Sequence, residues 1–196
     1  MEHSLQFPIA GILCVVLFST LWTAAVVIYG HWTLGTNTLS DLGVCGNEDA
    51  ELCFNGGCAL AGLLATIFAQ GLIEKRGVWL ICGITTAIAG IMLIGVGIIN
   101  LRYDDIHLID AGMLGVFAAA SMALSIYGDW KGGHKRMVLL TVILLVSCAI
   151  VTFTQRFAVF EPFGVIVILI WVFVQSVKLL KEVKEAKQAV NGTAEN

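Results

Sequence analysis

Charge is what this chain has least of. Only 13% of its 196 residues are Asp, Glu, Lys or Arg, against 58% hydrophobic residues and a mean hydropathy of +0.91. An ordinary soluble domain carries about a quarter charged residues, so that class is excluded. No basic residue precedes the first apolar run and no clear small-residue cleavage pattern follows it. That run therefore reads as a retained span and not as a signal peptide. The basic residues form no patch, which excludes nucleic acid as a partner. Internal repeats are absent as well.

What is present is a series of apolar runs, at about 7–29, 53–73, 77–100, 106–127, 137–154 and 160–180. Each approaches the length needed to cross about 30 Å of hydrocarbon. Of the 11 Lys and Arg residues, only Arg102 and Arg156 lie outside three clusters. Those clusters are Lys75/Arg76, Lys131/Lys135/Arg136 and Lys178/Lys181/Lys184/Lys187, at every second break between runs. By the positive-inside rule the expected fold is an all-α polytopic transmembrane bundle of six spans with both termini cytoplasmic. Residues 1–180 form the membrane domain and 181–196 a charged cytoplasmic tail, and the lysines from Lys178 to Lys187 rest against anionic head groups. The expected location is the cell membrane. Asn191-Gly192-Thr193 matches a glycosylation sequon, but on the cytoplasmic side it would not meet its enzyme.

Small residues recur every fourth position at Gly57, Ala61, Ala65 and Ala69, and again at Ala111, Gly115, Ala119 and Ala123. Gly83, Ala87, Ile91 and Gly95 nearly repeat the pattern. Such ladders let helix backbones approach closely. Packing within the bundle is the expected use, and contact between copies in a homo-oligomer is the alternative.

The lysine-poor side carries the polar chemistry. Its first connection supplies Asn37, Ser40 and Asp41, and the second run opens with Asn55. The next connection supplies Asp104 and Asp105, followed by His107 and Asp110, and the last supplies Arg156 and Glu161. In a compact bundle these residues line one outer vestibule. His107 and Asp110, three apart, share a helix face. They read as a metal-ligand or acid/base pair, or as a structural Asp–His or Asp–Arg contact through Arg102 or Arg156. Asp41, His107 and Asp110 make a weak metal set, poor for zinc and better suited to an oxygen-loving cation. Ser40 or Asp41 is expected to cap a short helix, with Gly43 permitting a sharp turn. The alternative makes Ser40 a nucleophile, which needs a nearby base and an oxyanion site. Glu161-Pro162 fits the first turn of the sixth helix, Glu favoured there by the helix dipole.

Of six cysteines, Cys14, Cys82 and Cys148 lie in apolar runs as small apolar residues. Cys45 and Cys53 bracket an acidic segment. A disulfide between them suits an oxidising exterior, and two free thiols are equally compatible. Their spacing does not suit a zinc knuckle.

Asn37-Thr38-Leu39-Ser40-Asp41-Leu42-Gly43, followed by Phe54-Asn55-Gly56-Gly57, resembles the signature of the membrane family called domain of unknown function 998. The third run ending in Gly95-Val96-Gly97, then His107, is similar to that family too. So is Glu161 ahead of an apolar run containing Trp171 and ending in Lys178-Leu179-Leu180. Ile99-Asn100 departs from the Pro that the family usually has near the end of its third span. The resemblance implies a six-helix bundle of prokaryotic, archaeal-like character with no established activity. More distantly it implies likeness to six-span proteins of lipid-anchor remodelling and to autophagy-modulator membrane proteins.

Three functions are therefore expected in turn. The first is a non-enzymatic membrane protein whose outer vestibule binds a lipid head group or a partner. The second is an intramembrane lipid hydrolase or transferase using Ser40, Asp41, His107 and Asp110. The third, a small-solute transporter, is disfavoured because spans two to four place no charge at the midplane. The cofactor is left open, and the enzyme reading can include a metal.

Overall fold

The computed structural model describes residues 4–194, with the side chains of all of these except 104 and 190–194. Six helices follow one another: α1 (Gln6–Tyr29), α2 (Glu48–Glu74), α3 (Val78–Ile98), α4 (Asp104–Lys131), α5 (Lys135–Thr154) and α6 (Phe157–Ala194). All six are long and apolar enough to cross a membrane. The six expected spans are thus present. α2 begins earlier than its hydropathy suggests because the acidic segment is already helical. Asn47 accepts a hydrogen bond from the Ala50 N–H, and Glu48, Asp49 and Glu51 sit in the first turn, where the helix dipole favours negative charge. α1 stops at Gly30, whose φ of 72° lets its N–H turn back to the Val26 carbonyl. Short 3₁₀ turns at Ser40–Val44 and Leu101–Tyr103 interrupt two of the connections at the lysine-poor end.

Each helix packs on its neighbours in sequence and α6 returns to α1, so the spans close into a ring. One apolar cluster, around Phe18, Leu39, Leu42 and Phe54, fills the lysine-poor half. A second, around Phe68, Leu72, Trp79 and Trp171, fills the other. Apolar side chains such as Leu13, Val16, Ile150 and Phe153 are exposed around the ring, as expected where lipid is the solvent. α2 is the most enclosed span and α5 the least.

The first ladder behaves as expected: Gly57, Ala61, Ala65 and Ala69 are all buried. α2 and α3 meet backbone to backbone. A Cβ added to Gly90 would lie 2.8 Å from the Gly62 carbonyl, and one on Gly83 equally close to that of Ala69. Of the α4 ladder only Ala111 packs against the core. Gly115, Ala119 and Ala123 are exposed, and a Cβ on Gly115 would meet nothing within 4 Å. α4 turns Ala118, Met122 and Ser125 inward instead, leaving Gly115, Ala119 and Ala123 on the outer face. Cys45 and Cys53 are free thiols, so the suggested disulfide is not formed. Cys45 ends the first 3₁₀ turn and its Sγ faces the Asn47 carbonyl at 3.8 Å, while Cys53 rides on α2.

Gly90→Val is expected to destabilise the protein by about 1–3 kcal/mol through overpacking, whereas Gly115→Val is expected to be tolerated. Thermal unfolding of the two variants in one detergent checks the contrast.

Candidate functional site

At the lysine-poor end, three side chains from three parts of the chain meet. Ser40 opens the first 3₁₀ turn, His107 stands in the first turn of α4, and Glu161 lies in the second turn of α6. The Ser40 Oγ donates to Glu161 Oε1 at 2.7 Å and lies 3.1 Å from His107 Nε2. The Leu39 N–H donates to the other Glu161 oxygen at 2.6 Å. His107 Nδ1 is 2.5 Å from the Ile99 carbonyl. A carbonyl can only accept, so Nδ1 carries a hydrogen. Ser40 and His107 are both buried.

Counting hydrogens constrains this network. The Ser40 hydroxyl has one hydrogen and faces two groups, Glu161 Oε1 and His107 Nε2. With an ionised carboxylate and a neutral ring both would be acceptors, and one contact would set lone pair against lone pair. Full satisfaction needs one further hydrogen, on the imidazole or on the carboxyl. Catalytically the arrangement is incomplete. Glu161 holds the serine and does not orient the histidine, a task that falls to the Ile99 carbonyl. The Leu39 N–H, a candidate oxyanion donor, is already engaged by Glu161.

The remaining expected residues divide. Neither Ser40 nor Asp41 caps the first 3₁₀ turn, whose N-cap is Leu39: Ser40 turns to Glu161, Asp41 Oδ2 accepts from the Thr38 N–H at 2.8 Å, and Thr38 Oγ1 accepts from the Asp41 N–H at 3.1 Å. Trp32 closes the same loop by donating to the Thr38 carbonyl at 2.7 Å. Gly43 is not the sharp-turn residue, since the positive φ values of this loop fall at Gly35 and Gly46. It is small because Asn55 lies against it: the Asn55 amide donates to the Gly43 carbonyl at 2.9 Å, and a Cβ there would come within 2.5 Å of Asn55 Oδ1. Asn37 accepts from the Thr33 N–H at 3.0 Å. Asp110 makes neither the His107 nor the arginine contact. It presses on Gly95, and among the described residues its buried Oδ2 has no hydrogen-bond partner, as is true of Asn55 Oδ1.

Arg102 pairs with Glu51 at 3.0 Å. Arg156 and Asp105 are exposed, and neither makes an ion pair among the described residues. The side chain of Asp104 and those of the 191–193 sequon lie outside the described residues. Asp41, His107 and Asp110 do not gather into a metal-holding group among the described residues. Glu161-Pro162 is not the helix start either. α6 begins at Phe157, so Glu161 is explained by Ser40 and Leu39 and not by the dipole. Pro162 removes the hydrogen bond that a residue there would give to the Ala158 carbonyl.

A second buried network, unforeseen in the sequence, lies at the lysine-rich end. Asp129 is fully buried on α4. It accepts from Gln175 Nε2 at 2.8 Å and pairs with Lys178, both on α6. Lys178, expected among the head groups, is itself buried. Its Nζ lies 4.2 Å from the Trp79 ring centroid and the Lys75 Nζ lies 4.3 Å from it, close enough for cation–π attraction. Lys75 then reaches Glu182 at 2.7 Å. Gly128 admits the indole, since a Cβ there would fall 2.6 Å from Trp79 Cε2. Asp129, the acid nearest the end of the fourth apolar run, was the available signal for this network.

A ring of six apolar helices with buried polar networks at both ends defines a multi-pass helical membrane protein. The sequence matches the family described as protein of unknown function (DUF998) over residues 12–178, and the chain belongs to that family. No curated protein and no solved structure matches it.

Two outcomes follow from these networks. Glu161→Gln should retain most of the stability, because its amide can donate to Ser40 while Ser40 donates to His107. Glu161→Ala should lose about 1–3 kcal/mol by stranding buried polar groups, as measured by chemical or thermal unfolding. Asp129→Ala should cost more, about 3–5 kcal/mol, because it leaves the buried Lys178 ammonium with only the Glu182 carboxylate, 3.8 Å away, as an ionic partner. The double variant Asp129→Leu/Lys178→Met should recover much of that loss in the same assay.

Proposed function

We propose that this DUF998 protein is a non-catalytic protein of the cell membrane, with its lysine-rich end in the cytoplasm, and that it holds a lipid head group at its lysine-poor end. In this reading the first loop is a cover and the Ser40–His107–Glu161 network is the latch that ties it to α4 and α6. The observation that carries the reading is the saturation of Ser40. Its hydroxyl is shared between two partners, the neighbouring Leu39 N–H is spent on the same carboxylate, and the serine is buried. Arg156, exposed at the start of α6, is the cation on offer to a head-group phosphate. The orientation rests on the distribution of Lys and Arg.

A second reading, an intramembrane lipid hydrolase or transferase, is favoured by one distance, the 3.1 Å between Ser40 Oγ and His107 Nε2. It requires the latch to open, so that His107 can take the Ser40 proton and backbone donors become free for an oxyanion. For solute transport the support is weaker. The middle of the ring holds an apolar cavity of about 70 Å³, lined by residues such as Phe18, Leu93 and Trp171, and offers no charged site there.

Purified protein in vesicles of mixed phospholipids separates these readings. Mass spectrometry is expected to find lipid retained and chemically unchanged, with retention falling several-fold in Arg156→Glu. A lipid product that forms steadily and vanishes in folded Ser40→Ala and His107→Ala would establish the enzyme instead. Reporter fusions should place Asp41 and Trp130 in opposite compartments.

A further inference from the structure

The lysine-rich end contains a crevice that the buried Asp129 network shapes but does not fill. Its volume is about 420 Å³, and it lies between the α2–α3 turn, the last turn of α4 and α6. Four Lys or Arg side chains line it: Lys75, Arg76, Lys131 and Lys178. The bundle's own carboxylates answer only two of them, since Glu182 takes Lys75 and Asp129 takes Lys178. Arg76 and Lys131 are exposed and make no ion pair among the described residues.

The walls are aromatic. Trp79 forms the floor, and Tyr127, half exposed, stands 4.8 Å from the Lys131 Nζ. Beside them Trp130 is 72% exposed. Exposed amphipathic rings at span ends mark head-group depth. The turn above is short and strained: Arg76 has a φ of 59°, the only positive value at a non-glycine among the described residues, a conformation costing about 1–2 kcal/mol.

We infer that this crevice binds the phosphate-bearing head group of an anionic phospholipid in the leaflet at the lysine-rich end, with Arg76 and Lys131 contacting the phosphate. Basic pockets between transmembrane helices recognise such head groups by this chemistry. Arg76 can grip two phosphate oxygens with its planar fork, and Lys131 supplies a point charge. Trp79 and Tyr127 would border the glycerol region. Lys75 fits the same picture. Burial pushes its ammonium below the ordinary lysine range and Lys178 beside it pushes the same way, against the opposing pull of Glu182. An anion in the crevice would favour the charged ammonium against both. The site is independent of the lysine-poor end and stands whether or not a lipid is held there.

The test uses the full chain purified in a neutral detergent and titrated, by native mass spectrometry, with phosphatidylglycerol, phosphatidylcholine or inorganic phosphate. One phosphatidylglycerol per chain is expected, bound at least about tenfold more tightly than phosphatidylcholine. The double variant Arg76→Gln/Lys131→Gln should lose that preference. Both positions are exposed, so its unfolding midpoint without lipid should match the parent. Equal binding of the two lipids, or an unchanged preference in the double variant, overturns the inference. Inorganic phosphate binding as tightly as phosphatidylglycerol overturns the lipid as the source of the anion.

Discussion

A carboxylate taken out of water and left without partners is among the most costly groups a membrane bundle can hold. The two ends of this protein are built around answering such groups. Glu161 is met by the Leu39 N–H and the Ser40 hydroxyl. Asp129 is met by Gln175 and Lys178, and Glu182 by Lys75. In each case one partner stands on α6. That helix therefore fastens the first loop at one end and both α4 and the α2–α3 turn at the other.

Between the fastened ends the forces change. α2 and α3 approach through Gly62, Gly83 and Gly90, where contact of backbone with backbone supplies the packing. This kind of adhesion needs no burial of polar groups and works in lipid, where apolar burial gives little advantage to protein over solvent. α5 touches chiefly its neighbours α4 and α6 and is the least enclosed span. The ring is thus tight on one side and looser on the other. α6 joins the two sides, helped at mid-depth by the Trp171 indole donating to Ser125 at 3.0 Å.

The two polar networks have different characters. The Ser40–His107–Glu161 group is closed, with its hydroxyl, ring and carboxyl turned on one another. The Asp129–Lys178 group is also closed, yet it stands behind an open basic crevice and holds Trp79 beside two ammonium groups. Closed networks give rigid geometry. The second stands beside a crevice lined by Arg76 and Lys131, which make no ion pair among the described residues.

Much of this architecture was readable residue by residue. Six apolar runs gave six helices, because crossing hydrocarbon demands a local sum of hydropathy over about 20 residues. The Gly57–Ala69 ladder foretold a buried face. The same reasoning misplaced the ladder at Ala111–Ala123, because periodicity shows that a face exists and not which way it turns. It also read Glu161 as a helix-start residue and Lys178 as a head-group lysine, since both stand near run ends where those roles are usual.

By itself, then, the sequence determined the number of spans and the membrane as solvent. The tertiary structure alone decided which polar residues touch. Ser40 lies 67 positions from His107 and 121 from Glu161, and Asp129 lies 49 from Lys178. Hydropathy and helical period act over a turn or a span. A hydrogen bond across such separations exists only once the ring has closed and brought α6 back beside α1 and α4.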